Sequence, residues 1–441
     1  MRSVTIIGGG LAGCEAAYQL AKRGYEVTLY EMRGVCNTPC HHTDALAELV
    51  CSNSLKSVAR DTASGMLKAE LEMLDCLLLR CGYETAVPAG GALAVDRTAF
   101  SEHVTRALEA MPNIRVERKH VTTIDPTVPT IVAAGPLASD ALAEEIARVV
   151  GVDKLAFYDA VAPIVAADSI DYNKAFFAAR YDKGTSDYLN LALTQEEYLA
   201  FYQALIEAKR APVHGFEQES VFEGCMPIEV MAARGVDTMR YGPMRPVGIR
   251  TPDGKRPYAV VQLRKENVHG TMYNLVGFQT NLLWGEQQRV FRMLPGLEQA
   301  EFLRYGVMHR NTFLNAPPVL QATFGTRQYP LLFFAGQITG VEGYVESIAS
   351  GLLAACNLHA TLAGLPPMVL PETTILGQLQ RHVSTPSQEY QPMNANYGIL
   401  APLTQPSRDK KQRKLQYTER GICDLQQYLE KYPSCPTDKA E

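Results

Sequence analysis

The sequence lacks the features that mark several classes of protein. Its 441 residues include only 10 cysteines, too few for a fold held by disulfides. It has no uninterrupted apolar run of about 18 residues, so no membrane-spanning helix is expected, and no apolar signal-peptide core precedes its first glycine run. Basic residues are not in excess: 42 Lys and Arg against 47 Asp and Glu give a net charge of −5, which excludes a generally basic nucleic-acid binder but not a local basic surface. We therefore expect a globular protein of the reducing cytoplasm.

A glycine-rich turn lies near the start of the chain. The pattern predicts a buried strand at 4–7, a helix at 11–23 and a second strand at 26–30, with Gly8, Gly10 and Gly13 in the spacing G-x-G-x-x-G. This order is typical of a dinucleotide-binding cradle, in which the glycines permit a tight turn and the helix N-terminus binds phosphate. Glu31 ends the second strand, where a carboxylate accepts hydrogen bonds from ribose hydroxyls and repels a 2′-phosphate. The predicted contacts here are Gly8, Gly9, Gly10, Leu11, Ala12, Gly13 and Glu31.

A second glycine-terminated strand late in the chain favours FAD over NAD as the bound dinucleotide. An apolar strand at 331–336 is followed by Gln337, by the glycines of GVEG and by a predicted helix at 345–362. The N-terminus of such a helix can face the flavin pyrimidine, where reduction places negative charge. Gly336, Gln337, Gly340 and Val341 are therefore predicted cofactor contacts. The sequence has no second G-x-G-x-x-G, which argues against a separate NADPH domain.

The pattern predicts an α/β fold, with a Rossmann-like FAD-binding domain of the glutathione-reductase-like flavoprotein type and an inserted α+β domain. The expected division is 1–160 for the first part of the FAD domain, 161–325 for the insertion and 326–441 for the return segment. A helix at 194–209, capped by Thr194 with Glu197 three residues later, and strands at 257–264 and 272–279 belong to the insertion. Residues 408–420 form a basic helical stretch that is either an RNA-contacting stripe, through Lys410, Lys411, Arg413 and Lys414, or a solvated helix face.

The cysteines divide into several groups. Those in apolar helical contexts are expected in the core: Cys14, Cys76, Cys81 and Cys356. The cluster of Cys36, Cys40, His41, His42 and Cys51 has no usual zinc spacing, so no metal is expected. Ser52, Asn53 and Ser54 are N-cap types, which predicts that a helix begins near Cys51, with Lys56 adding positive charge that would activate the thiol. Cys225 follows a glycine and precedes Met-Pro, which predicts a turn at a domain edge. For either thiol a purely structural role remains an alternative.

Several long motifs resemble one family. The segments GGGLAGCEAAYQLAKRGYEVTLYEMR, LAELVCSNSLKS, VFEGCMPIEVMAARG, GPMRPVG and LFFAGQITGVEGYVESIASGLLA are similar to those of the bacterial folate- and FAD-dependent tRNA (uracil-5-)-methyltransferases. The similarity runs from about residue 1 to about residue 402. Cys36 and Cys40 depart from it, which argues against a metal site common to the family.

The resemblance implies a reaction and its residues. Carbon comes from 5,10-methylenetetrahydrofolate, FAD relays it and supplies the hydride, NADPH or NADH regenerates the flavin, and the product is 5-methyluridine in the T-loop of tRNA. Cys51 and Cys225 match the two functional cysteines, and Tyr344 matches an aromatic residue placed over the flavin. A thiolate that adds to uracil C6 makes C5 nucleophilic; we assign this step to Cys51 and a base or capping role to Cys225, although the order can be reversed. Weaker candidates for folate or phosphate contacts are Asp96, Arg97, His309 and Arg310.

Three alternatives remain at the level of the sequence. The same chemistry can act on ribosomal RNA. The chain can be a flavoprotein of the tRNA wobble-uridine type, although those carry a long C-terminal helical domain. It can also be a non-catalytic, flavin-bound RNA-binding module or RNA chaperone, in which case Cys51 and Cys225 are dispensable. No membrane and no stable protein partner are expected.

Overall fold

The computed structural model describes residues 3–38, 40–151, 154–182, 185–211, 226–387 and 390–432. Its strands are β1 Ser3–Ile7, β2 Glu26–Glu31, β3 Ser54–Ser57, β4 Ala86–Val87, β5 Ala92–Val95, β6 Ile114–Arg118, β7 Thr130–Val132, β8 Lys154–Ala160, β9 Ile164–Ala166, β10 Ala175–Phe177, β11 Leu189–Leu193, β12 Ala259–Lys265, β13 Met272–Leu275, β14 Phe302–Arg304, β15 Met308–Leu314 and β16 Leu332–Phe334. Its helices are α1 Leu11–Lys22, α2 Ala63–Glu72, α3 Leu77–Glu84, α4 Arg97–Glu109, α5 Asp140–Val150, α6 Gln195–Glu207, α7 Ile228–Ala233, α8 Thr238–Tyr241, α9 Trp284–Phe291, α10 Tyr344–Ala363, α11 Ile375–His382 and α12 Lys410–Lys431.

A five-stranded parallel sheet has the order β16-β7-β1-β2-β6. The predicted N-terminal strand, β1, lies at its centre, and the late strand β16 pairs with β7 at one edge. Helix α10 packs against α1 so closely that a Cβ on Gly351 would lie 2.1 Å from the carbonyl oxygen of Ala12. The two ends of the sequence therefore form one Rossmann-like unit, which confirms the predicted fold class.

A six-stranded antiparallel sheet has the order β10-β11-β12-β13-β9-β14, and α6, α7 and α9 pack on it. Helix α6 begins as predicted, because Thr194 and Glu197 form a reciprocal capping box. Strand β13 is shorter than the predicted 272–279. Beyond Leu275 the chain turns: the amide of Phe278 donates to the carbonyl of Leu275, and Gly277 has φ 79°.

The apolar residues form two main cores. One core contains buried residues between 4 and 149 and again between 313 and 432. The other contains buried residues between 165 and 300. The first core resumes at Phe313, before the boundary of 325/326 expected from the sequence. In the described part of the chain, no helix is long and apolar enough to cross a membrane.

Candidate active site

A cleft of about 960 Å³ opens beside the turn between β1 and α1. Of the predicted cofactor contacts, the following line it: Gly8, Gly10, Leu11, Ala12, Glu31, Gly336 and Gln337. Tyr344, at the start of α10, lines it as well. The fold thus brings the N-terminal cradle and the late return segment to the walls of one cavity.

The three motif glycines have separate reasons to be glycine. Gly8 has φ 108°, and a Cβ there would lie 2.5 Å from the carbonyl oxygen of Ala133. A Cβ on Gly13 would lie 1.9 Å from the carbonyl oxygen of Gly8, so this position permits α1 to pack on the turn. A Cβ on Gly10 would meet nothing within 4 Å and would take up space in the cleft. The first N–H groups of α1 follow Gly10 and have no partner within the helix. These features fit a dinucleotide diphosphate at the start of α1.

Glu31 lies in a buried ion pair that the sequence analysis did not identify. Its carboxylate accepts from the amide of Gly9 (2.8 Å), from the amide of Arg33 (2.9 Å) and from the Arg33 guanidinium (3.1 Å). Burial alone would raise the pKa of Glu31, but the hydrogen bonds and charge of Arg33 outweigh it and lower the pKa. Glu31 is therefore an anion at the rim of the cleft, and a ribose that bonds to it would share it with Arg33. Arg33 is two residues after Glu31, so the motif E-x-R in the sequence could have predicted this ion pair.

The remaining predicted cofactor contacts lie behind the cleft wall. Gly340 has φ 84°, and its missing side chain leaves room for Tyr390, whose phenol oxygen would lie 2.4 Å from a Cβ there. Val341 is fully buried and forms a bridge with Met393. Gly9 faces Leu46 and the carboxylate of Glu31. These residues shape the turns that carry the lining residues.

The thiol of Cys51 lies in a loop that is docked on Tyr344. The phenol oxygen of Tyr344 accepts hydrogen bonds from the amides of Cys51 (2.7 Å) and Ser52 (3.2 Å). Cys51 is half-buried, and its Sγ lies 3.9 Å from the carbonyl oxygen of Ala160, where the chain joins the two cores. Burial raises the pKa of Tyr344, so its phenol remains neutral at physiological pH.

The prediction that a helix begins near Cys51 is wrong. Residues 54–57 form strand β3, which pairs with β5. The polar side chains bond elsewhere: Asn53 donates to the carbonyls of Val95 and Lys265, both at 3.0 Å, and Ser52 accepts from the amide of Ser54. Asn53 thus ties the loop to β5 and to β12 of the six-stranded sheet instead of capping a helix.

Two arginines hold the other side of the Cys51 loop. Arg97 donates to the carbonyls of Leu49 and, at 3.5 Å, of Cys51, and it forms an ion pair with Glu266 at 3.0 Å. Arg304, on β14 of the second sheet, donates to the carbonyl of Val50 at 2.7 Å. Three successive carbonyls are therefore bound by guanidinium groups from both parts of the molecule. Arg304 was missed because nothing in its local sequence indicates this contact.

A second cavity, of about 810 Å³, adjoins these arginines. Arg97 and Arg304 line it together with two carboxylates, Glu48 and Glu102, and Ile164, Met272 and Leu303 provide an apolar wall. Burial, and then the positive charge of Arg97, lower the pKa of Arg304. Such a cavity suits a ligand that has both polar groups and an aromatic or apolar body.

The other predicted substrate contacts are placed differently. Asp96 caps α4, accepting from the amide of Ala99 at 3.0 Å, and also accepts from the amide of Val268 at 3.2 Å. His309 and Arg310 belong to β15, but their side chains lie outside the described part of the structure. Cys225 also lies outside the described residues.

The remaining cysteines and the histidines beside them are now located. Cys14, Cys76, Cys81 and Cys356 are buried, as predicted. Cys36 is exposed. His41 contacts Thr38 Oγ1 at 2.6 Å, and burial followed by the charge of Arg33 lowers its pKa to about 4. Among the residues that the structure describes, no group of three or more His, Cys, Asp or Glu side chains is arranged to bind a metal ion.

The basic C-terminal stretch begins a long helix, α12, which is capped by Asp409. Lys410 and Lys411 are exposed, whereas Arg413 and Lys414 are half-buried. The helix packs on α2 through Gly421, where a Cβ would lie 2.3 Å from the methyl carbon of Met66. The exposed side chains of Lys410 and Lys411 therefore lie at the start of a helix that is held in place by its packing on α2.

Comparison with known proteins agrees with this architecture. The family model described as glucose inhibited division protein A matches residues 3–366. The methylenetetrahydrofolate--tRNA-(uracil-5-)-methyltransferase TrmFO of Desulfitobacterium hafniense (strain Y51) is 56% identical over 430 residues, 97% of this chain and 98% of that protein. The protein of the same name from Streptococcus sanguinis (strain SK36) is 53% identical over 439 residues, 97% of this chain and 99% of that protein.

Solved structures show the same fold. GidA of Aquifex aeolicus superimposes with a TM-score of 0.70 at 16% identity, over 97% of this chain and 73% of that one. A second crystal form gives a TM-score of 0.70 at 17% identity. The chain belongs to the glucose inhibited division protein A family and, within it, to the methylenetetrahydrofolate--tRNA-(uracil-5-)-methyltransferases named TrmFO.

Proposed function

We propose that the protein is an FAD-dependent methyltransferase that forms 5-methyluridine in the T-loop of tRNA in the cytoplasm. The carbon donor is 5,10-methylenetetrahydrofolate and the reductant is NADPH or NADH. The observation that carries this proposal is the docking of the Cys51 loop on Tyr344 at the wall of the dinucleotide cleft. The identity of 53–56% to proteins of that named activity, over almost the whole chain, supports it.

FAD, when bound, supplies the hydride and relays the one-carbon unit. In this chain its diphosphate would contact the amides that follow Gly10, and its ribose would contact Glu31. The start of α10, with Tyr344, would lie on the flavin side of the cleft. The positive potential at that helix N-terminus would stabilise negative charge on a bound flavin.

Cys51 is the proposed nucleophile toward uracil C6. The addition forms a C–S bond and shifts electron density to C5, which then attacks the one-carbon unit. Removal of the C5 proton restores the C5–C6 double bond and expels the thiolate, and a hydride completes the methyl group. Tyr344, Arg97 and Arg304 bind the backbone on both sides of Cys51, so they fix the direction of its Sγ. Cys225 is proposed as the base that removes the C5 proton, or as a cap on the resting thiol; the two roles can be exchanged.

The cavity beside the thiol loop is proposed to hold part of the folate. Its two guanidinium groups suit carboxylates, and its apolar wall suits an aromatic ring. Arg97 is thus retained as a candidate folate contact. His309 and Arg310 remain candidates by prediction, whereas Asp96 has a structural role as a helix cap.

A product assay tests the proposal. The purified protein is incubated with labelled methylenetetrahydrofolate, NADPH or NADH, and either an unmodified tRNA transcript or a ribosomal RNA fragment, and the nucleosides are then separated. We expect label in 5-methyluridine, in tRNA only, and at a T-loop position. Label in the ribosomal fragment would favour the first alternative, label at the wobble uridine the second, and no labelled nucleoside would refute the proposal.

A further inference from the structure

A basic loop on the second sheet has no part in the site described above. Between residues 240 and 256 the chain has five Lys or Arg and one acidic residue, Asp253, although the whole protein carries a charge of −5. The loop follows α8 and leads into β12. Positive charge is thus concentrated at one place on an acidic protein.

The loop is held in one conformation by the neighbouring segment. The guanidinium of Arg180 donates to the carbonyls of Arg245 and Val247, both at 2.8 Å. The amide of Tyr181 donates to the carbonyl of Gly248 at 2.7 Å. Tyr181 itself has φ 58°, a conformation that is unfavourable for a tyrosine and that persists only where its surroundings impose it.

Glycine at 248 permits this packing. It has φ 86°, and a Cβ there would lie 3.0–3.1 Å from ring atoms of Tyr181. The ring therefore lies flat against the loop and is still 56% exposed. Tyr241, the last residue of α8, is 85% exposed. The loop thus holds the ring of Tyr181 on a surface of fixed shape, and a second exposed ring precedes the loop in the chain.

The guanidinium groups beside these rings are available to a ligand. Arg245, Arg250 and Arg256 are exposed. Within the part of the chain that the structure describes, Arg245 and Arg256 form no ion pair, and Arg250 bonds only to the carbonyl of Gly254. Burial and then the charge of Arg245 lower the pKa of Arg180, in keeping with a local excess of cations. Tyr181, Arg250 and Arg256 line one groove of about 940 Å³.

The position of the loop relates it to the thiol site. The segment that holds the loop follows β10, and β10 is one edge strand of the six-stranded sheet. The other edge strand is β14, which carries Arg304. Five strand spacings separate these edges, about 24 Å at the usual spacing of about 4.8 Å. A folded RNA is long enough to contact both edges at once.

We propose that this loop binds the sugar–phosphate backbone of the substrate tRNA away from the target uridine, with Arg245, Arg250 and Arg256 on phosphates and Tyr181 and Tyr241 on exposed bases or sugars. The inference rests on the proposed function and adds the surface on which the RNA docks. Exposed guanidinium groups interleaved with aromatic rings are the usual chemistry of single-stranded and looped RNA contacts.

The test compares two triple variants of equal charge change. R245E/R250E/R256E reverses the charge of three arginines in the loop, and R106E/R115E/R148E reverses the charge of three exposed arginines in the FAD-binding part. Affinity for a tRNA transcript is measured by fluorescence anisotropy across a series of salt concentrations. We expect the loop variant to bind at least tenfold more weakly, with a salt slope smaller by about 2, since each lost phosphate contact contributes about 0.7–0.9. The control variant should stay within about twofold.

Other readouts separate docking from folding and from chemistry. Oxidation of NADPH or NADH by the bound flavin without RNA should be the same in both variants, and the loop variant should show a raised KM for tRNA. Tyr181→Ala keeps every charge and should weaken binding several-fold without changing the salt slope. Unchanged tRNA affinity in the loop variant, or equal loss in both triple variants, would overturn the proposal. If the wild type bound tRNA through the loop but made no 5-methyluridine, the docking surface would stand and the proposed function would fail.

Discussion

At the residue scale, Gly13 decides whether the cradle can close. A methyl group there would lie 1.9 Å from the carbonyl oxygen of Gly8, which is backbone and cannot move aside without shifting β1 or α1. We expect Gly13→Ala to lose most of its bound flavin, measured by absorbance near 450 nm per mole of protein. Gly10→Asp should have the same effect by placing a negative charge in the cleft. Gly285→Ala, where a Cβ meets nothing within 4 Å, is the control, and full colour in Gly13→Ala would contradict the assignment.

Cys51 is the residue on which the proposed chemistry depends. We expect Cys51→Ser to retain flavin and tRNA binding, because the backbone bonds to Tyr344 and Arg97 do not involve the thiol. Formation of 5-methyluridine should fall below detection, since an alcohol is a poor nucleophile at neutral pH. Cys36→Ser, at an exposed thiol in the same region, should keep its activity. Activity in Cys51→Ser would assign the attack on C6 to another group.

Glu70 should make the stability of the protein depend on pH. It is fully buried on α2, and its two oxygens accept from the amides of Ile375 and Leu376 at the start of α11, both at 2.9 Å. Burial raises its pKa from 4.5 to about 8, although these hydrogen bonds favour the ionised form. The folded state therefore binds more protons than the unfolded state between these values, and this contribution to stability is present below pH 4.5 and is lost as the pH rises through 8.

The variant Glu70→Gln isolates this effect. The denaturant midpoint of the wild type, relative to that of Glu70→Gln, should fall steadily from pH 5 to pH 8 with FAD at saturation. Glu72→Gln is on the same helix but changes a partly exposed carboxylate, and it should leave the wild-type slope in place. A constant difference between wild type and Glu70→Gln across this range would show that Glu70 titrates at its ordinary pKa.

At the scale of elements, strand β14 holds the thiol loop through Arg304. The guanidinium reaches the carbonyls of Val50 (2.7 Å) and Cys40 (3.3 Å), whereas the single ammonium of a lysine cannot reproduce this planar geometry. We expect Arg304→Lys to lower kcat about tenfold with normal flavin content, and to speed alkylation of Cys51 as followed by peptide mass spectrometry. Arg292→Lys, which changes a guanidinium bound to the carbonyl of Ala300, should alter neither. Normal kcat and alkylation in Arg304→Lys would remove the positioning role.

Local patterns predicted the elements near the cleft better than they predicted the thiol loop. The glycine spacing indicated β1, α1 and β2, and Thr194 with Glu197 indicated the start of α6, because caps and tight turns depend on neighbouring residues. The side chain of Asn53 binds the carbonyls of Val95 and Lys265, which are both distant in sequence, so its preference for N-cap positions led to the wrong prediction of a helix. Arg304 contacts a loop about 250 residues away, which no local pattern could indicate.

At the scale of the whole molecule, the thiol loop lies where the two hydrophobic cores meet. Arg97 belongs to the first part of the chain and Arg304 to the second sheet, and both bind carbonyls of the same loop. The Sγ of Cys51 is also near Ala160, at the point where the chain passes from one core toward the other. A shift between the two cores would therefore move the thiol relative to the cleft.

Substitutions in the basic helix α12 test whether the RNA-binding surface extends across the molecule. Lys410 and Lys411 are exposed at its start, whereas Arg413 donates to the carbonyl of Ser407 at 3.3 Å and is partly engaged. We expect Lys410→Glu with Lys411→Glu to weaken tRNA binding several-fold and to reduce the salt slope by about 1–2. Because this helix packs on α2, in the FAD-binding part, its effect on binding free energy should add to that of the loop at 245–256. The control is Lys431→Glu, at the far end of the same helix. Unchanged affinity and slope would mean that the start of α12 is a solvated surface and that RNA approaches only from the second sheet.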